Sequence, residues 1–172
     1  MKRIFLLLAI VGMTAFQSCS DDDTADQIDT DTDTIGLVFD VTASFNSAGE
    51  IVFPFEAGEV YPGDGVLIYW MESVGAPVWR PVPQTLYFED GAFLTYNYEF
   101  TRARAKIFAD SDLNLATLSD YMIDQTFRII VVPGADPIQV NGRVASQPKV
   151  DFNDYEAVAK AYGIKESNVI KR

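Results

Sequence analysis

Leu37, Phe39, Val41, Ala43 and Phe45 alternate with Val38, Asp40, Thr42, Ser44 and Asn46. A period of two puts one set of side chains on the buried face of a strand and the other toward solvent. Phe39 is therefore expected in the core and Asp40 on the water-facing side. Further strand-like runs follow at short spacing: Glu50 to Phe55, Val66 to Met71, Thr85 to Glu89, Ala92 to Thr101, Ala103 to Ala109 and Phe127 to Val132. Tyr61-Pro62-Gly63-Asp64-Gly65 breaks the chain before one run, and Pro133-Gly134 closes another. Asp90-Gly91 marks the clearest hairpin, because that pair accepts the positive φ angles of a two-residue primed turn. Such a turn sets Phe88 opposite Phe93 and Tyr87 opposite Leu94.

From Phe152 the period becomes helical. Asn153 is placed to cap a helix, Glu156 reaches back to complete a capping box, and Phe152 with Ala157 occupies the positions of a hydrophobic staple. Gly163 supplies the stop and Ile164 the apolar contact beyond it. Tyr155, Val158 and Tyr162 share one face, so the helix, residues 153–162, is expected to lie as a lid on the rest. Short strands in series with few helices make the expected fold mainly β. It is a single antiparallel β-sandwich over residues 35–172, immunoglobulin-like in general shape, with one C-terminal helix. Trp70 and Trp79 suit such a core, but Cys19 is the one cysteine. Without an antibody-type disulfide the expectation is of the architecture alone.

Ahead of the sandwich the pattern differs in kind. Lys2 and Arg3 precede an unbroken apolar run from Ile4 to Val11, and the apolar stretch ends by Phe16. A membrane-spanning helix needs about 20 apolar residues, so residues 1–18 read as a signal peptide. The layout resembles a bacterial lipoprotein signal, in which cleavage precedes a cysteine whose sulfur receives a diacylglycerol. Here that residue is Cys19; Ser18 fits the small-residue box before it, and Phe16 and Gln17 depart from it. Ser20, Asp21, Asp22 and Asp23 resemble the acidic signal that carries lipoproteins of Bacteroidota-type bacteria to the outer face of the outer membrane. Fragments such as Val78-Trp79-Arg80-Pro81 and Asp154-Tyr155-Glu156-Ala157-Val158 look like those of small surface lipoproteins of such bacteria, a likeness that brings no activity with it. The resemblance implies a palmitate-type anchor at Cys19, the membrane as a partner and the cell surface as the address. At about 0.8 kcal/mol per buried methylene, two or three acyl chains hold firmly.

Charge supports the same division. The chain carries 25 acidic against 13 basic residues, a formal charge of -12, and loss of Lys2 and Arg3 with the signal takes it to -14. Seven acidic residues fall between Asp21 and Asp33, too polar a stretch to pack, so residues 19–34 are expected to form an extended, disordered tether. Nucleic acid is not an expected partner, since phosphate binding needs clustered Lys and Arg. The chain has no histidine, which removes hydrolases with a histidine base and histidine-ligated metal centres. With Cys19 committed to lipid, no disulfide or thiolate site remains, and no cofactor is implied.

A few groups of residues are still candidates for chemistry. Asp29, Asp31 and Asp33 have the spacing of a calcium loop, but Thr34 stands where the sharp-turn glycine belongs. Asp110, Asp112 and Asn114 repeat that spacing after a strand, with Leu115 at the glycine position. Oxygen ligands on a loop suit a hard cation, and the same residues are ordinary turn formers. Arg102, Arg104 and Lys106 alternate as a cationic row, which meets an anionic glycan, solvates the outer face of its sheet or guards a sheet edge. Trp70 and Trp79 are the candidate glycan platform, because a sugar ring stacks on an exposed aromatic face. No pair of carboxylates is singled out by spacing for acid–base catalysis. The expected function is a non-enzymatic, lipid-anchored surface protein with an interaction or envelope role and a protein or glycan partner. The alternative is a carbohydrate-binding accessory lipoprotein of a glycan-uptake system.

Overall fold

The computed structural model describes residues 36–73, 75–134 and 149–172. The expected signal segment, the tether, Cys19, Ser20, Asp21, Asp22, Asp23 and the Asp29 to Asp33 cluster lie outside the described residues. Strands are numbered in chain order: β1 Val38–Ala43, β2 Glu50–Pro54, β3 Gly65–Met71, β4 Trp79–Pro81, β5 Gln84–Tyr87, β6 Phe93–Thr101, β7 Arg104–Ser111, β8 Gln125–Val132 and β9 Ile170–Lys171. They form a five-stranded sheet in the order β4-β3-β8-β1-β9 and a four-stranded sheet in the order β2-β7-β6-β5. The pairings are antiparallel except that β9 lies parallel to β1. The chain passes between the sheets at β1 to β2, β2 to β3, β4 to β5 and β7 to β8, so the two faces are stitched together repeatedly.

The inward side chains are those the alternation selects. Phe39 and Val41 of β1, Ile68 and Trp70 of β3, Leu94 and Tyr96 of β6, Ile107 of β7 and Phe127 and Ile129 of β8 fill the space between the sheets. Aromatic rings meet edge to face, as Tyr96 and Phe127 do at 5.6 Å between centroids, the orientation their quadrupoles favour.

The outer face of the first sheet is covered as well. Val38, Tyr69, Ile130 and Val132 pack beneath Tyr155, Val158 and Tyr162 of helix α2, Tyr155–Ala161. β8 is thereby buried on both sides, which is why Phe127 to Val132 reads as a nearly continuous apolar run. The same cover buries Val38, a residue that simple alternation assigns to water. The N-cap of α2 is Asp154, whose carboxylate accepts the Ala157 amide at 3.1 Å, and not Asn153, whose own amide is held by Asp151 at 2.9 Å. At the other end the Ile164 amide donates to the Ala159 carbonyl at 2.8 Å and Gly163 adopts φ 60°, a Schellman stop that needs glycine's freedom at positive φ.

The β5–β6 hairpin is displaced by one residue from the expected register. Tyr87 pairs with Phe93 and Leu86 with Leu94, because Glu89-Asp90-Gly91 makes a three-residue loop. Gly91 takes φ 86° at its last position and the Asp90 carboxylate accepts the Ala92 amide at 3.1 Å, the bulged alternative to a two-residue turn. A one-residue shift reverses every side chain. Leu86 and Leu94 turn inward, and Tyr87 and Phe93 face out.

Candidate functional site

β8 carries one charged residue within its buried run. Arg128 is 1% exposed and projects from the outer face of the first sheet to the place where β1, α2 and the chain after α2 converge. A guanidinium has five N–H donors in a planar fork, and here each has a partner. Nε and Nη2 donate to the two Asp40 oxygens at 2.7 and 2.9 Å, and Nη1 and Nη2 donate to the two Glu166 oxygens at 2.7 and 2.9 Å. Nη1 also donates to the Tyr155 hydroxyl. The guanidinium carbon lies 4.3 Å from the Trp79 ring centroid and 5.5 Å from that of Tyr155, a cation held against aromatic faces.

The electrostatics follow from these contacts. Burial works to lower the Arg128 pKa, yet the hydrogen bonds to Asp40 and Glu166 outweigh it and the net direction is upward, so the side chain stays charged. Glu166 is held below the usual carboxylate range, chiefly by its hydrogen bonds from Arg128 and against a smaller effect of burial. Because its folded value is depressed, the contribution of this contact is complete above the ordinary glutamate value of about 4.3 and is lost as the pH falls through the depressed one. Chemically the arrangement recognises a planar carboxylate by a bidentate fork with an aromatic wall. With every donor taken it acts as a clamp joining β8, β1, α2 and the turn that carries Glu166.

The residues proposed from the sequence are not brought together. Trp70 is 5% exposed. Its ring packs on Tyr96 at 5.2 Å and its indole N–H donates to Gln125 Oε1 at 3.0 Å. Gln125 in turn donates to the carbonyls of Asp120 and Ile123 at 3.0 and 2.7 Å, fastening the short helix α1, Ser119–Met122, to the end of the sheet. Trp70 borders a cleft of about 330 Å³ shared with Glu72, Leu86, Asp120, Tyr121 and Asp124, but it offers no flat exposed face. Trp79 is half-buried between Arg128 and Tyr155. The platform fails because the second sheet covers one tryptophan and α2 the other. Among the described residues the most exposed aromatic is Tyr87, 78% exposed, on the outer face of the second sheet, ahead of Tyr61 at 63%.

Asp112 Oδ1 accepts the Phe93 amide at 2.9 Å, and Asn114 Oδ1 accepts the Ala116 amide at 3.0 Å as the cap of a 3₁₀ turn, while Asp110 is exposed on β7. Two of the three are thus committed to turn and cap bonds. Among the described residues, no three acidic or cysteine side chains gather as a metal site. The cationic row is broken at its first member, Arg102, which precedes β7 in the turn from β6. Lys106 bridges Glu99 at 3.0 Å and Glu50 at 3.4 Å. β7 lies between β2 and β6, so the row guards no sheet edge.

The Arg128 centre is the constellation that sequence reasoning missed. Its signal was there in part: an arginine inside an apolar run needs a partner, and the fold supplies it by setting Asp40 of β1 opposite Arg128. Comparison with known protein families, characterised proteins and solved structures found no match to this chain.

Proposed function

We propose that this chain is a non-enzymatic lipoprotein, held by an acylated Cys19 at the outer face of the outer membrane, whose β-sandwich serves an interaction or envelope role. The observation that carries the reading is the order of Lys2 and Arg3, the apolar run from Ile4, Cys19 and the acidic residues Asp21 to Asp23. Among the described residues no helix is long and apolar enough to cross a membrane; the reading puts the membrane contact in Cys19.

A carbohydrate-binding role is the second reading, on a surface other than the tryptophans. The outer face of the second sheet sets Tyr87 opposite Phe93 and Thr85 opposite Thr95, an aromatic pair beside hydroxyls that suits a sugar ring and its hydroxyl groups. One set of experiments addresses both readings. Growth with a labelled fatty acid should mark the native protein and leave Cys19→Ala unlabelled; label on the variant contradicts the anchor. A glycan array probed with the soluble domain favours the second reading if binding appears and is lost in Tyr87→Ala, and removes it if none appears.

A further inference from the structure

The chain after α2 lies along the sandwich as a strap. Glu166–Asn168 forms a 3₁₀ turn that brings Glu166 to Arg128. Ile170 and Lys171 then pair in parallel with Phe39 and Asp40, and the Arg172 amide donates to the Asp40 carbonyl at 2.9 Å. The Arg172 guanidinium reaches Glu59 at 2.5 Å and Glu56 at 3.5 Å while lying over the Phe39 ring at 4.8 Å. Glu59 feels burial, which raises it, but the hydrogen bonds from Arg172 and from the Glu56 amide prevail and its net direction is downward.

The two sides of this contact are unlike. The seat belongs to the core, with Arg128 and Phe39 buried and Asp40 fixed against Arg128. The occupant is less buried: Glu166 is 73% exposed at its side chain, Ile170, Lys171 and Arg172 are exposed, and Ile164 and Val169 are half-buried against the outer-face cluster. From one end to the other the seat reads charge in order. A buried cation takes a carboxylate, the edge of β1 offers backbone donors and acceptors, and Glu56 with Glu59 takes a cation.

We propose that this seat is a recognition site for an extended segment of a partner polypeptide, running parallel to β1 and bearing a carboxylate followed six residues on by an arginine or lysine. The strap fills the site in cis until such a segment displaces it. Backbone pairing along a strand edge supplies affinity, and the ordered charges fix direction and register. The strap competes as a tethered ligand with an effective concentration on the order of millimolar. Its two paired residues make it a weak competitor. The inference rests on the interaction role proposed above, and a failed peptide titration leaves the anchor test standing, just as a failed anchor test leaves the titration standing.

The probe is a fluorescent peptide with the sequence of Ile164 to Arg172, titrated into the full chain and into a full-chain Glu166→Ala/Arg172→Ala variant. The variant weakens the occupant and keeps the seat. It is expected to bind the peptide about ten-fold or more tighter than the native chain. A peptide with glutamine in place of its Glu166 should lose about ten-fold or more on the variant, because the charge-assisted fork is gone. If thermal unfolding shows the double variant misfolded, full-chain Arg172→Ala replaces it under the same expectations. Equal binding to both chains, equal binding of both peptides or no binding overturns the proposal. Dimerisation of the variant without peptide assigns the seat to a second copy's strap and overturns it as well.

Discussion

Asp40 lies one residue from the fully buried Phe39 and was expected on the opposite, solvated face. In the structure that face is not solvated, because α2 and the strap cover it, and Asp40 gives both carboxylate oxygens to Arg128. Removing one partner of a buried ion pair leaves the other charge uncompensated, at a cost of about 3–5 kcal/mol. Here Glu166 remains on the same guanidinium, which puts Asp40→Ala at the low end, about 3 kcal/mol. The loss should appear as a lower urea midpoint at unchanged slope. Asp110→Ala, on the exposed end of β7, should stay within about 0.5 kcal/mol. Similar midpoints for the two variants would put Asp40 back in water. The anomaly at Arg128 was legible in the sequence, whereas its pairing with Asp40 was not, since 88 residues separate the two and nothing local links them.

At the scale of elements, alternation located β1, and strand-like runs located β2, β3, β6, β7 and β8, because each extends for five residues or more; β3 and β8 show as nearly continuous apolar runs. β4 and β9, of three and two residues, are too short to show a period and are strands through their neighbours. Ends and turns were displaced by single residues for a related reason. Two adjacent residues of nearly equal capping or turn preference compete, and tertiary contacts choose between them. Asn153 and Asp154 are such a pair. Asp154→Ala should cost about 1 kcal/mol, the usual value of an N-cap. Asn153→Ala should cost only a few tenths, its amide group bonding Asp151 at the surface. Thermal melts of the two variants check this; the reverse ranking would return the cap to Asn153.

For the whole molecule, the consequence is an asymmetry between the two sheets. One carries α2 and the strap on its outer face, fastened through Arg128, while the other shows Tyr87 to solvent. That a sandwich would form was legible, since inward alternation and turn spacing are local. Which sheet would be covered was not, because the cover comes from chain far from β1 and β3 in sequence. The central claim is that a single buried arginine fastens the strap to a sandwich that stands without it. Amide hydrogen exchange tests this most directly at the Arg172 N–H, which donates to the Asp40 carbonyl, and the Val131 N–H, which donates to the Leu37 carbonyl at 2.8 Å. Both should be protected in the native chain. In Glu166→Gln the Arg172 amide should exchange about ten-fold or more faster beside an unchanged Val131, as local opening of a low-stability segment requires. An unprotected Arg172 amide in the native chain, or an equal loss of protection at Val131 in the variant, would contradict the claim.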